Sequence, residues 1–391
     1  VVSAPLLWTI LEYGKSQLLT GFPWENLGHS LYEQLSLIQI ADITGIYGIT
    51  FLIVFINCLL FDLLTVKVKK TLLTEFVVGA LLLLVVLGYG FYRVNDIETA
   101  ARNIDPVNVS LVQGNIDQSM KWDPLYQSKT LDLYRRLSME AAESNPRIIV
   151  WPETAAPFFF QDNIHKRDDV LNLAETAGSY LLFGSPSYER KDGRNYLKNS
   201  AYLVSPSKEI LGRYDKVHLV PFGEYVPLKE FLFFIDKLVA GAGDFIPGDG
   251  FRPLMVEGKK AGVLVCYEGI FPEIGREYKK NGADLFVNIT NDAWYGRTSA
   301  PYQHLSMIAF RAVENRVPIV RAANTGISAI ISPTGKIVSK TPLFKRAILN
   351  GNVKIFDYDT FYTRYGDLFV YICIVFMIAI FSVSLIRRVS K

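Results

Sequence analysis

Cys266 closes the apolar run Ala261, Gly262, Val263, Leu264, Val265, and Tyr267 and Glu268 follow it at once. A thiol placed where a buried strand stops has rigid backbone behind it and an open side in front, as a covalent nucleophile requires. Glu153 repeats the arrangement in W-P-E-T. It follows the β-rich run 148–151, and Pro152 ends that strand so that the carboxylate projects from its carboxyl edge. Lys216 lies in R-Y-D-K-V-H-L, just ahead of P-F-G-E-Y-V-P, a loop punctuated by Pro221, Gly223 and Pro227 that also carries Glu224. The chain therefore offers a base, a cation and a thiol in that order.

Such a set has a chemical logic. A thiol with a pKa near 8.5 is mostly protonated at neutral pH, so a carboxylate that takes its proton and an ammonium that favours thiolate both activate it. Attack on a carbonyl then creates an oxyanion. The same ammonium and the backbone N–H after the cysteine are suitable donors, and one such donor is worth about 3 kcal/mol in the transition state. Taken singly, each residue also has an ordinary role: core filler for the cysteine, a solvated strand end for Glu153, a surface ion pair with Asp215 for Lys216. The other cysteines, Cys58 and Cys373, form no C-x-x-C or Cys/His ligand spacing, so neither a disulfide framework, a metal site nor a cofactor is expected. His29, His165, His218 and His304 are scattered, with surface or supporting roles the expectation for each.

The elements that must position these groups fall into two kinds. Half of the 391 residues are hydrophobic, 20% are charged and mean hydropathy is +0.20, too apolar for an ordinary soluble enzyme. The net charge of +3 comes with no Lys/Arg stripe, which argues against nucleic-acid binding. Residues 43–61, 76–92 (extended by Leu72 and Leu73) and 368–386 are uncharged and long enough, as helices, to cross a hydrocarbon core of about 30 Å. The first 20 residues suggest another span, interrupted by Glu12 and Lys15. Lys67, Lys69 and Lys70 lie between two spans, and Arg387, Arg388 and Lys391 follow the last. By the positive-inside rule both groups are cytoplasmic, which puts the segment between outside the cytoplasm. The expected organisation is transmembrane helices over 1–94, lacking their first members, an extracytoplasmic catalytic domain over 95–365, and a final helix with a basic tail over 366–391. The middle segment has α/β texture: β-rich runs at 107–112, 148–151, 180–183, 201–204, 262–265, 285–289, 317–320 and 328–331, with helical stretches at 126–144 and 300–315. Turn-length connections between several strands predict mixed sheets covered by helices.

W-P-E at Glu153, D-K-V-H-L-V-P-F-G-E at Lys216 and Glu224, V-C-Y-E at Cys266 and N-I-T-N-D-A-W at 288–294 resemble the nitrilase (carbon-nitrogen hydrolase) superfamily in order and spacing. That resemblance implies a Glu-Lys-Cys triad on an α-β-β-α sandwich, here combined with a transmembrane helical bundle. More narrowly, V-Q-G-N-I-D-Q-S-M-K-W at 112–122, P-F-G-E-Y-V-P, and G-F-P-W at 21–24 resemble the bacterial apolipoprotein N-acyltransferase family. The resemblance implies that Glu153 is general base, Cys266 nucleophile and Lys216 oxyanion stabiliser, with Glu224, Glu268, Tyr267 and Trp122 as supporting active-site residues. It further implies a phospholipid acyl donor, typically phosphatidylethanolamine, a thioester on the enzyme, and a diacylglyceryl-modified apolipoprotein acceptor. The implied setting is a bacterial inner membrane, with the catalytic domain on the periplasmic face.

Two apolar stretches, 158–160 and 231–235, flank these motifs, the second running on through Gly241, Gly243 and Gly248. A glycine-hinged arm bearing Phe231, Phe233 and Phe234 could dip into the outer leaflet and gate lipid entry; core packing is the competing expectation. Two other functions stay open at this level: a membrane-anchored nitrilase-type amidohydrolase acting on a soluble carbon-nitrogen substrate, and a lipid-binding scaffold with an inert domain. A monomer is the simplest expectation, since the domain carries its own helices.

Overall fold

Continuous apolar runs that are buried on both faces make parallel strands, and two sets of them organise the catalytic region. The computed structural model describes residues 2–65, 70–117, 124–227 and 245–389. Trp122, Phe231, Phe233 and Phe234 lie outside them, as do Lys67, Lys69 and Lys391. The helical part comprises α1 (Ser3–Gln17), two short turns α2 (Leu35–Ile38) and α3 (Ala41–Thr44), α4 (Ile46–Thr65) and α5 (Lys70–Ala100). The catalytic region then runs β1 (Val107–Gln113), α6 (Pro124–Ala142), β2 (Ile148–Val150), α7 (Ile164–Ala177), β3 (Tyr180–Lys191), β4 (Arg194–Val204), β5 (Ile210–Asp215), β6 (Leu254–Val256), β7 (Lys259–Val265), α8 (Pro272–Lys280), β8 (Leu285–Thr290), α9 (Ala300–Asn315), β9 (Ile319–Ala323), β10 (Ala329–Ile331), β11 (Ile337–Lys340) and β12 (Ala347–Val353). A turn, α10 (Phe361–Tyr365), leads into α11 (Leu368–Val389).

The strands form two six-stranded mixed sheets, ordered β12-β1-β2-β3-β4-β5 and β11-β10-β9-β8-β7-β6. In each, three central strands are parallel and the outer ones antiparallel. Alternation along the strands sorts the side chains. Val109, Leu111, Ile148 and Val150 meet Val263, Val265, Val287 and Ile289 between the sheets. On the opposite face of the first sheet, Ile149 and Trp151 pack under α6 and α7 through Leu131, Tyr134, Val170 and Leu173. Helices α8 and α9 cover the second sheet through Ile274, Tyr278, Leu305 and Ile308. The layering is α-β-β-α, as the resemblance implied, and the sheets are mixed, as the short connections predicted.

Among the described residues three helical segments are long and apolar enough to cross a membrane: Ile46–Thr65, Leu73–Ala100 and Leu368–Arg387. The last two contain the predicted spans 76–92 and 368–386; the first covers 46–61 of the predicted 43–61, because Ile43 and Thr44 belong to α3 and Gly45, at φ +61°, separates it from α4. The first 20 residues do not make a comparable helix. α1 has 15 residues, about 22 Å at the helical rise, and it packs on α4 and α11. Its Glu12 is buried as a polar anchor, accepting from Thr50 Oγ1 at 2.7 Å and Leu27 N at 2.7 Å. α5 continues to Ala100, past the boundary expected at 94.

Helix α9 joins the two parts. Its Phe310 and Val313 share a cluster with Ile38, Ala41, Ile46, Tyr47, Ile49 and Val370 of the membrane elements. Beside that cluster, Asp42 receives Arg93 Nη2 at 2.7 Å and Arg316 Nη2 at 2.8 Å.

Candidate active site

The strand ends deliver the three sequence-predicted groups to one place. Val265 ends β7, and Cys266 opens a single 3₁₀ turn with φ +52°, a left-handed conformation that a non-glycine residue adopts at a cost. Glu153 follows β2, and Thr154 after it is also left-handed, at φ +48°. Gly184 on β3 makes room for that loop: a Cβ there would come within 2.4 Å of Thr154 N. Lys216 follows β5, its backbone N–H donating to Asn199 O at 2.8 Å and its carbonyl accepting from Gly248 N at 2.9 Å. Gly248 permits close packing here, since a Cβ would lie 2.1 Å from Asp215 O.

The buried groups are wired together. Asn199 Nδ2 donates both to Glu153 Oε1 at 2.7 Å and to Glu224 Oε1 at 2.9 Å. Glu224 Oε2 in turn accepts from Lys216 Nζ at 2.8 Å and Val220 N at 2.8 Å. Asn291 N donates to Glu153 Oε2 at 2.9 Å. Glu268, fully buried, accepts from Tyr214 Oη at 2.7 Å, Val217 N at 2.7 Å and His218 N at 3.1 Å through one oxygen, and from Val265 N at 2.8 Å through the other. It thereby ties the Cys266 turn to the loop that carries Lys216. Tyr267 closes the site toward the membrane part, donating to Gly21 O at 3.2 Å beside Phe22 and Phe271.

Electrostatics follow from this burial. Burial pushes the Cys266 thiol up to about 12, with Glu153 and Asp292 adding to it and Lys216 opposing. The thiol is neutral at rest, so a proton acceptor must act as it attacks. Burial works to lower the Lys216 ammonium, but Glu224, Glu153 and Cys266 outweigh it and hold it above its ordinary value, fully charged. Burial raises the Glu224 carboxyl, and Lys216 and Asn199 overcome that to hold it below its usual range. Glu268 is pushed up to about 7 by burial, against Lys216 and its donors.

Of the sequence-predicted residues, Glu153, Lys216, Cys266, Glu224, Glu268 and Tyr267 converge. Phe158 and Phe160 do not form an exposed arm: both are buried in the core under α6 and α7, because they follow the Glu153 loop inward, and Phe159 alone is exposed. Sequence reasoning missed Asn199, which sits mid-strand with only K-N-S around it. It also gave His304 no specific place, whereas this residue is fully buried directly behind the cysteine. Asn291 and Asp292 belong to the N-I-T-N-D-A-W motif, but their partners could not be assigned from the chain alone. Among the described residues no group of His, Cys, Asp and Glu has a metal-binding arrangement.

Residues 108–358 match the carbon-nitrogen hydrolase family, and residues 1–59 match the apolipoprotein N-acyltransferase N-terminal domain. An apolipoprotein N-acyltransferase of Geobacter metallireducens is 50% identical over 384 residues, covering 96% of this chain and 72% of that protein. The chain belongs to the apolipoprotein N-acyltransferase family. A second member, from Rickettsia prowazekii, is 36% identical over 96% of this chain and 74% of its own length. Among solved structures, a carbon-nitrogen hydrolase of Helicobacter pylori (TM-score 0.50, 18% identity, 64% of this chain and 89% of that one) shares the sandwich. So does an amidase of Nesterenkonia sp. (TM-score 0.51, 21% identity, 68% and 95%). These last two are likenesses of fold alone. An acyltransferase of this family is an enzyme, which sets aside the inert scaffold, and membership over both the helical part and the sandwich disfavours the amidohydrolase alternative.

Proposed function

We propose that the chain acylates the N-terminal α-amine of diacylglyceryl-cysteine on apolipoproteins, taking the acyl group from a phospholipid, typically phosphatidylethanolamine, through a thioester on Cys266. In the first half-reaction the Cys266 sulfur bonds to the ester carbonyl while its proton passes to Glu153, and Lys216 and the Tyr267 N–H receive the oxyanion. The ester C–O bond then breaks, and the leaving alkoxide takes the proton from Glu153 to depart as lysophospholipid. In the second half the lipoprotein amine, with a pKa near 7.7 to 8.0 and partly neutral at pH 7, attacks the thioester carbonyl. Glu153 takes the amine proton and returns it to the departing Cys266 sulfur as the amide forms. The thioester separates two bulky lipid substrates in time, so ping-pong kinetics are expected.

The observation that carries this reading is the single hydrogen-bonded chain Glu153–Asn199–Glu224–Lys216, at 2.7, 2.9 and 2.8 Å, beside the one cysteine of the sandwich. Glu224, Glu268 and Tyr267 act as positioning residues, Trp122 supports the active site on the resemblance, and the apolar, glycine-flanked arm of Phe231, Phe233 and Phe234 gates lipid entry. The protein sits as a multi-pass monomer in a bacterial inner membrane, its 95–365 region on the extracytoplasmic side between helices of 1–94 and 366–391. Mass spectrometry after incubation with phospholipid tests the reading: a long-chain acyl adduct on Cys266, absent in Cys266→Ala and discharged by a diacylglyceryl-cysteine peptide, is expected. Acyl transfer to the peptide by Cys266→Ala overturns it.

A further inference from the structure

The carbonyl of Cys266 accepts from His304 Nε2 at 3.3 Å. A carbonyl oxygen only accepts, so Nε2 carries a proton, in the imidazolium and in the Nε2–H neutral form alike. The other ring nitrogen, Nδ1, lies 3.0 Å from Asp292 Oδ1 and 3.2 Å from Arg321 Nη2, so it has a partner in either state. Both of those partners are fully buried and pinned. Asp292 accepts from Thr290 Oγ1 at 2.9 Å and Arg321 Nη2 at 2.7 Å, while Arg321 reaches Asn288 and, at 3.1 Å, Ile327 O. Asn288 in turn donates to Leu264 O at 2.8 Å, on the strand that carries the cysteine. Gly326 leaves the space Asp292 occupies, since a Cβ there would be 2.1 Å from Asp292 Oδ2. The rings of Trp24 and Tyr295, at 5.8 and 6.2 Å, cover the imidazole from the other side.

The carbonyl that His304 holds belongs to the same peptide group as the Tyr267 N–H. That N–H is at the start of the 3₁₀ turn, where the first donors have no intrahelical acceptor. Donation to the oxygen of a peptide polarises it and strengthens its N–H as a donor, and fixing the oxygen fixes the plane. At φ +52° the Cys266 backbone is strained, so the plane needs an external tie.

We propose that His304 is a positioning residue for acyl transfer, holding and polarising the Cys266–Tyr267 peptide so that the Tyr267 N–H is aimed at the oxyanion formed when Cys266 attacks an acyl carbonyl. The proposal rests on the thioester reading above. It predicts a separation between two reactions of the same thiol. Acylation passes through an oxyanion; alkylation by iodoacetamide does not.

The test measures both on the full chain in detergent, for wild type, His304→Ala and His304→Gln, whose side-chain amide can present an N–H near the place of Nε2. His304→Ala should slow adduct formation from phospholipid about 10- to 100-fold, the range seen when a group that orients another is removed. Iodoacetamide alkylation of Cys266 should keep its wild-type rate, and His304→Gln should recover much of the acylation. Equal losses in acylation and alkylation would mean that the histidine merely supports the thiol, overturning the proposal, as would unimpaired acylation in His304→Ala. If the alanine variant does not fold, His304→Gln carries the test alone: an acylation loss matched by an equal loss in alkylation overturns the proposal there too. Wild type that alkylates but forms no acyl adduct fails the underlying thioester reading, and the proposal with it.

Discussion

Asn199 donates to Glu153 and Glu224 through one nitrogen, at 2.7 and 2.9 Å, and so keeps two carboxylates in a single site. Its own Oδ1 is buried and has no partner among the described residues, so there the amide is held by the carboxylates. Asn199→Ala should therefore slow acyl-adduct formation by about 10- to 100-fold, the equivalent of one or two charge-assisted hydrogen bonds at about 1.4 kcal/mol per decade. Time-resolved mass spectrometry of the adduct reads it. A wild-type rate would show that Glu153 is oriented without Asn199.

The Cys266 thiol, pushed up to about 12, should not behave like a free cysteine. Alkylation by iodoacetamide should keep rising with pH through the range in which an ordinary thiol near 8.5 levels off. Lys216→Met removes the charge that opposes the rise, so at any one pH the variant should alkylate more slowly. A plateau near the ordinary thiol value, or faster alkylation in the variant, contradicts the arrangement.

His218 is held down to about 4, first by burial against Phe271 and Tyr267 and then by Lys216. Its folded-state value lies below the ordinary 6.5, so neutral His218 contributes stability that is present above about pH 6.5 and is lost as pH falls through about 4. Thermal unfolding followed across that window should show wild type losing stability faster than His218→Phe, which keeps the ring and removes the titration. Parallel curves would remove His218 from the acid response.

Asp42 is the common partner of Arg93, on α5, and Arg316, directly after α9. Both guanidiniums are largely buried, and Asp42→Asn leaves Arg316 without its counterion while Arg93 keeps Asp96 at 3.0 Å, so the change should cost about 3 to 5 kcal/mol. A large drop in melting temperature, with the Cys266 alkylation rate little changed below it, is expected. An unchanged melting temperature would mean the joint rests on the apolar cluster of Phe310, Val313 and Ile46.

Much of this was legible in the chain because it depends on local physics. A spanning helix must satisfy its own backbone in about 20 apolar residues, so the three spans declare themselves without reference to anything else. The runs 261–265 and 285–289 declare central strands the same way, and the residues that end them, with their neighbouring motifs, place the base, cation and thiol at strand ends. What was not legible depends on partners far away in sequence. β12 lies beside β1 from about 240 residues downstream, and its polar alternation gives no sign of that. The β3–β4 hairpin extends through Glu189 and Lys198, whose ion pair exists only once the strands align. Phe158 and Phe160 looked equally suited to a lipid surface or a core, and the path of the Glu153 loop decided for the core. The first 20 residues suggested a span interrupted by Glu12 and Lys15, but α1 folds as a short helix anchored by Glu12. Cys266 was identifiable from the strand that delivers it; that its carbonyl rests on His304, and His304 on Asp292 and Arg321, was decided by α9 docking across β7, β8 and β9, because hydrogen bonds between buried side chains form only where tertiary packing has removed water.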